Sequence, residues 1–310
     1  MSTSINLSGG GLSGTASVPN GVVYAFNPNY VVVNITGEYT GLVKLEVSAG
    51  SSSYEIDVTV YKGKAKTYIS RLLQILFDDY VNTRSKTVTV TIKSKDGSTM
   101  GSNSFLALWA SVEAGMDYGY YLPIVNDRNG AGREVREIVW FTQLPFKVSL
   151  FSSSQGIYEV NPSQVSGSKI RLIADSSYEG TYLRWIDNYG FWQYFLFDTG
   201  TRQSKNKLGK VSVDAEYSFA GVNHQALRYN HVENTDTIKC CAVNLRREIL
   251  AYVETIFKSP HIELYIGNTS NGQVWKPVNI EAGSANVAAD KRLYDYEISI
   301  TLPETQVQTI

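Results

Sequence analysis

Leu183–Phe197, LRWIDNYGFWQYFLF, is the stretch whose reading decides the fold. Seven of its fifteen residues are aromatic: Trp185, Tyr189, Phe191, Trp192, Tyr194, Phe195 and Phe197. Its middle, Asp187-Asn188-Tyr189-Gly190, has turn chemistry, because Asx side chains bond their own backbone and Gly accepts positive φ. Strand formers flank that turn, so the pattern predicts a hairpin with Tyr182–Ile186 paired to Phe191–Phe197. Successive strand side chains point to opposite faces. The second strand then sets Trp192, Tyr194 and Leu196 on one face and Phe191, Gln193, Phe195 and Phe197 on the other. Both faces are largely apolar, as in a strand covered on both sides or an edge facing another subunit. The aromatics read as β-sandwich core ahead of a sticky surface for sugar or protein.

Composition bounds the rest. At 310 residues the chain exceeds the usual ~100–200 per domain, which predicts two domains. A net charge of −1 supplies no electrostatic case for specific nucleic-acid binding, which rests on a basic patch. Arg202–Lys210 is locally basic but reads as a solvated loop. Tyrosine is abundant at 21 residues, and its apolar ring with a polar tip suits strands and wet interfaces. The two cysteines, Cys240 and Cys241, are adjacent and point to opposite faces of a strand, so no disulfide framework is expected. The first residues lack the basic start and apolar core of a secretory signal, so synthesis in the cytosol is expected. No run approaches the ~20 apolar residues of a membrane span, so membrane insertion is not expected.

Along the chain, residues 1–20 are Ser/Gly-rich and read as a flexible arm. Residues 21–112 read as an N-terminal β-sandwich. Tyr54–Val60 alternates cleanly, and Thr67–Tyr80 is the one predicted helix, with apolar residues at three- and four-residue intervals. Residues 113–136, rich in Gly, Asp, Asn and Arg, read as a connecting loop, with Tyr118, Tyr120 and Tyr121 as candidate partner contacts. Residues 137–310 read as a C-terminal β-sandwich. There Thr199–Gly209 is predicted as a polar loop, Lys210–Tyr217 as a strand and Asn244–Phe257 as a helix with Asn244 as N-cap. The predicted fold class is therefore mainly β: two β-sandwich domains, each with one packed α-helix.

The chemistry-bearing residues are sparse. His224, His231 and His261 lack the cysteine or carboxylate context of a zinc site. The metalloprotease, nucleophile-elbow, phosphate-loop and dinucleotide motifs are all absent from the sequence. Glycosidases need only two carboxylates, and Asp187, with Asp175 and Glu179 nearby, is the nearest approach, although a turn chooses Asp for local hydrogen bonds. Cys240 would be a nucleophile only beside a positioned base. No enzyme activity, cofactor or metal is expected.

Several stretches resemble a family of tailed-bacteriophage and prophage tail proteins: YLRWIDNYGFWQYFLF at 182–197, TRQSKNKLGKV at 201–211, LRREILAYVETIFKSPHIELYIG at 245–267 and VWKPVNIEAGS at 274–284. The start, VVYAFNPNYVVVNI at 22–35, is also similar to the opening of such proteins. The resemblance spans about two-thirds of the chain in motifs that are structural, and the helix at 67–80 and the connection at 113–136 depart from it. It implies a structural virion protein near the tail tip, similar to the distal tail proteins that join tail tube to baseplate, with no catalytic residue. The implied partners are copies of itself in a ring and other tail or baseplate proteins. A head–tail neck position is the alternative within this class.

On this reading residues 1–20 and 113–136 reach neighbouring subunits and become ordered only on assembly, because ordering costs about 1–2 kcal/mol per residue. A second expectation, from a different class, is a carbohydrate-binding or adhesin module with Trp185, Tyr189 and Trp192 as a stacking platform. A third is a hydrolase using Asp187. Asp187, Asn188 and Tyr189 at the hairpin tip are the candidate partner contacts common to these readings.

Overall fold

A computed structural model describes residues 2–112, 125–126, 134–165, 170–208, 211–219, 222–229, 232–281 and 293–303. It is mainly β with two short helices, one in each of two units. Unit 1 comprises Met1–Arg136, Lys147–Lys169 and Ile186–Trp192; unit 2 comprises Glu137–Phe146, Ile170–Trp185 and Gln193–Ile310. The expected division into 21–112 and 137–310 is therefore corrected. Residues 147–169 and the hairpin tip belong with unit 1, since long-range packing rather than chain order assigns them.

In unit 1 the strands are β1 (Ser2–Gly9), β2 (Leu12–Pro19), β3 (Val22–Tyr24), β4 (Tyr30–Ile35), β5 (Gly41–Ala49), β6 (Ser52–Val60), β7 (Lys64–Tyr68), β8 (Ser85–Ser94) and β9 (Thr99–Leu108). They form one sheet in the order β1-β2-β4-β7 and another in the order β3-β9-β8-β5-β6. One core joins them, with Leu7, Ala16, Val18 and Val33 from the first sheet and Leu45, Val90, Ile92 and Phe105 from the second. Alternation explains the faces. On β5, Val43, Leu45 and Val47 are buried, while Lys44 pairs with Glu55 (2.8 Å) on the polar side.

Residues 1–20 are not a flexible arm. β1 and β2 pair along their whole length, from Ser2↔Pro19 to Gly9↔Leu12, and bury Leu7, Ala16 and Val18. Their Ser/Gly-rich composition masks a period-2 pattern. Gly10 and Gly11 at φ 56° and 75° supply the two positive dihedrals that a type I′ hairpin turn requires.

The helix expected over 67–80 is also shorter. α1 spans Ser70–Leu76, because Lys64–Tyr68 pairs with β4 in the register Tyr30↔Tyr68. Sheet pairing there overrides helical spacing. Ser70 anchors the start of α1 by donating to the Asn27 carbonyl (2.6 Å) and accepting from the Asn29 N–H (2.9 Å).

Most of the expected connecting loop, with Tyr118, Tyr120 and Tyr121, lies outside the described residues. Within it, β10 (Val125–Asn126) pairs with the start of β11 (Glu134–Phe141). The hairpin of β12 (Val148–Ser152) and β13 (Gly156–Val160) joins unit 1 through an Arg84–Glu159 ion pair and an Ile157 N–H bond to Ser85 Oγ (3.2 Å).

Unit 2 contains β14 (Ile170–Asp175), β15 (Thr181–Ile186), β16 (Trp192–Leu208), β17 (Val211–Phe219), β18 (Val222–Tyr229), β19 (Val232–Arg246), β20 (Ile262–Thr269), β21 (Gly272–Ile280) and β22 (Leu293–Thr301). Six of them close into a barrel in the order β15-β16-β19-β22-β21-β20. Closure, which alternation along single strands does not reveal, joins β15 to β20 through Leu183↔Leu264 and Trp185↔Ile262.

α2 (Arg247–Val253) continues into a 3-10 turn at Glu254–Lys258, and Ile249, Leu250, Val253 and Ile256 are buried. Asn244 is not its N-cap. It lies in β19 at φ 58°, where a register shift separates Ala242 from Leu245, and its N–H donates to Asp295 (3.0 Å). Pairing with β22 as far as Arg246↔Leu293 delays the helix by three positions. The polar loop expected at 199–209 is instead the outer part of β16 as far as Leu208.

Candidate functional site

The aromatic hairpin forms as expected, β15 beside β16, but its tip faces the interior of unit 1. Asp187 is 2% exposed, and its Oδ1 accepts from the N–H groups of Tyr189 and Phe191, each at 2.9 Å. The Gly190 N–H closes the turn on the Asp187 carbonyl (3.0 Å), and a Cβ at Gly190 would lie 2.6 Å from the Trp109 carbonyl oxygen. The Asn188 carbonyl accepts from the Ser111 N–H (2.7 Å), and Tyr189 packs on a cluster of Leu108, Ala110, Ile157 and Phe191. Asp187, Asn188 and Tyr189 are therefore brought together by turn chemistry and buried packing. Asp187 is buried, while Asn188 and Tyr189 are half-buried.

The stacking platform is overturned on the same ground. Trp185 is fully buried, and Trp192 is 4% exposed with the Arg84 guanidinium 5.5 Å from its ring centre. Within unit 2, Trp185 Nε1 donates to Thr255 (2.9 Å), while Phe141 sets its edge against Phe195. A sugar has no access to such rings. Asp187 likewise faces no cleft.

Unit 2 does hold a cleft of about 610 Å³, where β16 and β19 part beyond Asp198↔Cys241. Phe141, Phe195 and Ile249 line its floor; Asp175, Glu179 and Asp198 stand among its polar residues. Asp175 accepts from the Ser177 N–H (2.8 Å), the local bond of a turn aspartate. Nearby, Arg246 pairs with Glu137 at 3.0 Å. Among the described residues, no group of three or more His, Cys, Asp or Glu side chains could hold a metal ion. No described helix is long and apolar enough to cross a membrane.

On the barrel wall, Glu263 pairs with Arg184 and with His261 Nε2 (2.8 Å), and Arg184 lies 4.1 Å from the Trp275 ring centre. Burial alone would push the Glu263 carboxyl up; the hydrogen bond from His261 and the Arg184 charge outweigh it and hold the pKa below its ordinary 4.5. The remaining histidine side chains, His224 and His231, lie outside the described ones.

The feature that sequence reasoning missed is a ribbon. β16 pairs with β19 from Asp198↔Cys241 to Leu208↔Val232, and β17 pairs with β18 from Val211↔Tyr229 to Phe219↔Val222. Three positions separate Leu208 from Val211 and three separate Tyr229 from Val232, so the second ladder continues the first in register.

The barrel covers only the base of this ribbon. β22 pairs with β19 no further out than Thr237↔Thr301. β15 begins at Thr181, whose Oγ1 meets that of Thr199 at 2.8 Å, so it reaches no further along β16. Beyond the bond from the Leu302 N–H to the Asp236 carbonyl (2.8 Å), no third strand joins either edge of the ribbon among the described strands. At about 3.3 Å per residue the β17–β18 ladder alone spans roughly 30 Å.

The one local signal for it is the alternation Val211, Val213 and Ala215. The uniformly polar run before it, residues 201–207, hides the strand, because no apolar side chain alternates there.

No protein-family model, no curated protein and no solved structure matches the chain.

Proposed function

We propose that the chain is a structural assembly protein that acts through self-association, as a ring-forming component of a phage tail at the distal tail, baseplate or tail tip. The ribbon of β16–β19 and β17–β18 carries this reading. An isolated two-stranded hairpin is marginal in water, and its open edges are templates for pairing with another chain. A ribbon with no third strand on either edge among the described strands is best explained by a partner that completes it. The resemblance of residues 182–197, 201–211, 245–267 and 274–284 to tail proteins supports the virion setting. Such a role calls for no catalytic residue and no cofactor.

Mass photometry and negative-stain imaging of the purified chain test this. Wild type is expected to form discrete rings, alone or with tail partners. Replacing residues 209–231 by an Asn-Gly turn is expected to leave a folded chain that stays monomeric. A wild-type chain that remains monomeric at every concentration, with or without tail proteins, overturns the reading.

A further inference from the structure

We infer that the outer face of the sheet β1-β2-β4-β7 binds single-stranded nucleic acid without sequence preference, through lysines in and beside β7 and tyrosines of β4 and β7. The site lies within unit 1 and involves none of the ribbon.

The distribution of charge is the first observation. A net charge of −1 hides a segregation between the two sheets of unit 1. No carboxylate occurs before Glu38 or between Asp57 and Asp78, so β1, β2, β4 and β7 contain none. The outward positions of β1 and β2 are serine, threonine and asparagine. All three lysines of the opposite sheet are neutralised: Lys44 by Glu55, Lys86 by Asp78 and Lys93 by Glu46, each at 2.8 Å. Lys62, Lys64 and Lys66 differ. They are exposed and have no carboxylate partner among the described residues. A polyanion meets three free cations there and no repelling carboxylate on the sheet.

The rings are the second observation, and they select the kind of polyanion. β7 is the open edge of its sheet among the described strands, and alternation turns Ala65 to the core and Lys64, Lys66 and Tyr68 outward. The register Tyr30↔Tyr68 sets two tyrosines side by side, with ring centres 5.6 Å apart. They are 42% and 50% exposed, and the Lys66 Nζ lies 4.0 Å from the Tyr30 ring centre. Such rings interleaved with cations suit a single strand, because every base offers a π face for stacking while the cations track the backbone. Strand pitch sets Lys64 and Lys66 about 7 Å apart, a repeat that the phosphates of an extended strand can follow. A duplex keeps its bases stacked inside and would use the lysines alone. An acidic peptide would likewise leave the rings idle.

Fluorescence anisotropy of a labelled oligothymidylate, titrated with the full chain, tests this beside an abasic strand of the same length. Wild type should bind the oligothymidylate with a log–log salt slope of about −2, some 0.7 for each of three phosphates neutralised. Lys64→Gln with Lys66→Gln should weaken binding roughly tenfold or more and flatten that slope. Tyr30→Ala with Tyr68→Ala should also cost roughly tenfold on the oligothymidylate. The same tyrosine variant should hold the abasic strand as wild type does, which separates lost stacking from a lost fold. Tyr30→Phe with Tyr68→Phe keeps both rings and should bind normally.

A wild type that does not bind oligothymidylate at low salt overturns the inference. So does equal affinity for the abasic strand or for a duplex, which would leave only a charged patch. Tyrosine-to-alanine variants that bind as wild type overturn it too, as does an equal loss on Lys44→Gln with Lys93→Gln in the opposite sheet. None of these outcomes bears on ring formation, which imaging reads separately.

Discussion

Asp187 shows how one residue type supports two opposite readings. Carboxylates serve catalysis and turns alike, and here the side chain accepts two main-chain N–H groups inside unit 1. Asp187→Ala leaves those donors without their carboxylate and is expected to destabilise unit 1 by about 1–3 kcal/mol in chemical denaturation, with Asp187→Asn costing less.

Glu263 gives a pH prediction. A carboxyl held below its ordinary 4.5 in the folded state contributes stability above that value, which is lost as the pH falls through the folded pKa. The denaturation midpoint should therefore drop at acid pH. Glu263→Gln should flatten that component and lower stability at neutral pH by roughly 1–3 kcal/mol, because Arg184 loses its charged partner.

The cysteines differ in the same way. Burial pushes the Cys240 thiol up to about 11, whereas Cys241 is less buried and bonds Glu297 at 3.9 Å. A thiol reagent at neutral pH should label Cys241 first, and the native Cys241→Ser chain should react only as fast as it unfolds.

Among the elements, the N-terminal hairpin and the two helices carry the lesson about local signals. Serine- and glycine-rich residues 1–20 look unstructured by composition, yet Ile5, Leu7, Ala16 and Val18 alternate at the period of a strand and meet the opposite sheet. Deleting residues 1–20 is therefore expected to lower the thermal stability of unit 1 by several degrees or more, since it strips the sandwich of two strands and three buried core side chains. A flexible arm would leave the melting temperature unchanged. The helices were legible as apolar stripes, but their starts were not. β7 captures Lys64–Tyr68 and β19 holds on to Leu245 and Arg246, because ladder hydrogen bonds to β4 and β22 outweigh the small helix propensity of a few residues.

At the scale of the whole molecule, chain order and spatial order part company. The aromatic hairpin has its arms in unit 2 and its tip counted with unit 1, and residues 147–169 likewise leave one unit for the other. Neither excursion carries a composition change that would mark it. The ribbon is the converse case, a long regular element that the polar run at 201–207 does not announce.

By itself the sequence determined the mainly β class, one helix in each half, and the hairpin at Leu183–Phe197, because those follow from side-chain periodicity and turn chemistry within a few residues. Only the tertiary structure decided that the second set of strands closes into a barrel, that Asp187 is buried within its turn, and that β16 pairs with β19 and β17 with β18 as long ladders. Each of these depends on which distant strand supplies the missing hydrogen bonds, and a period of two residues looks the same whichever partner that is.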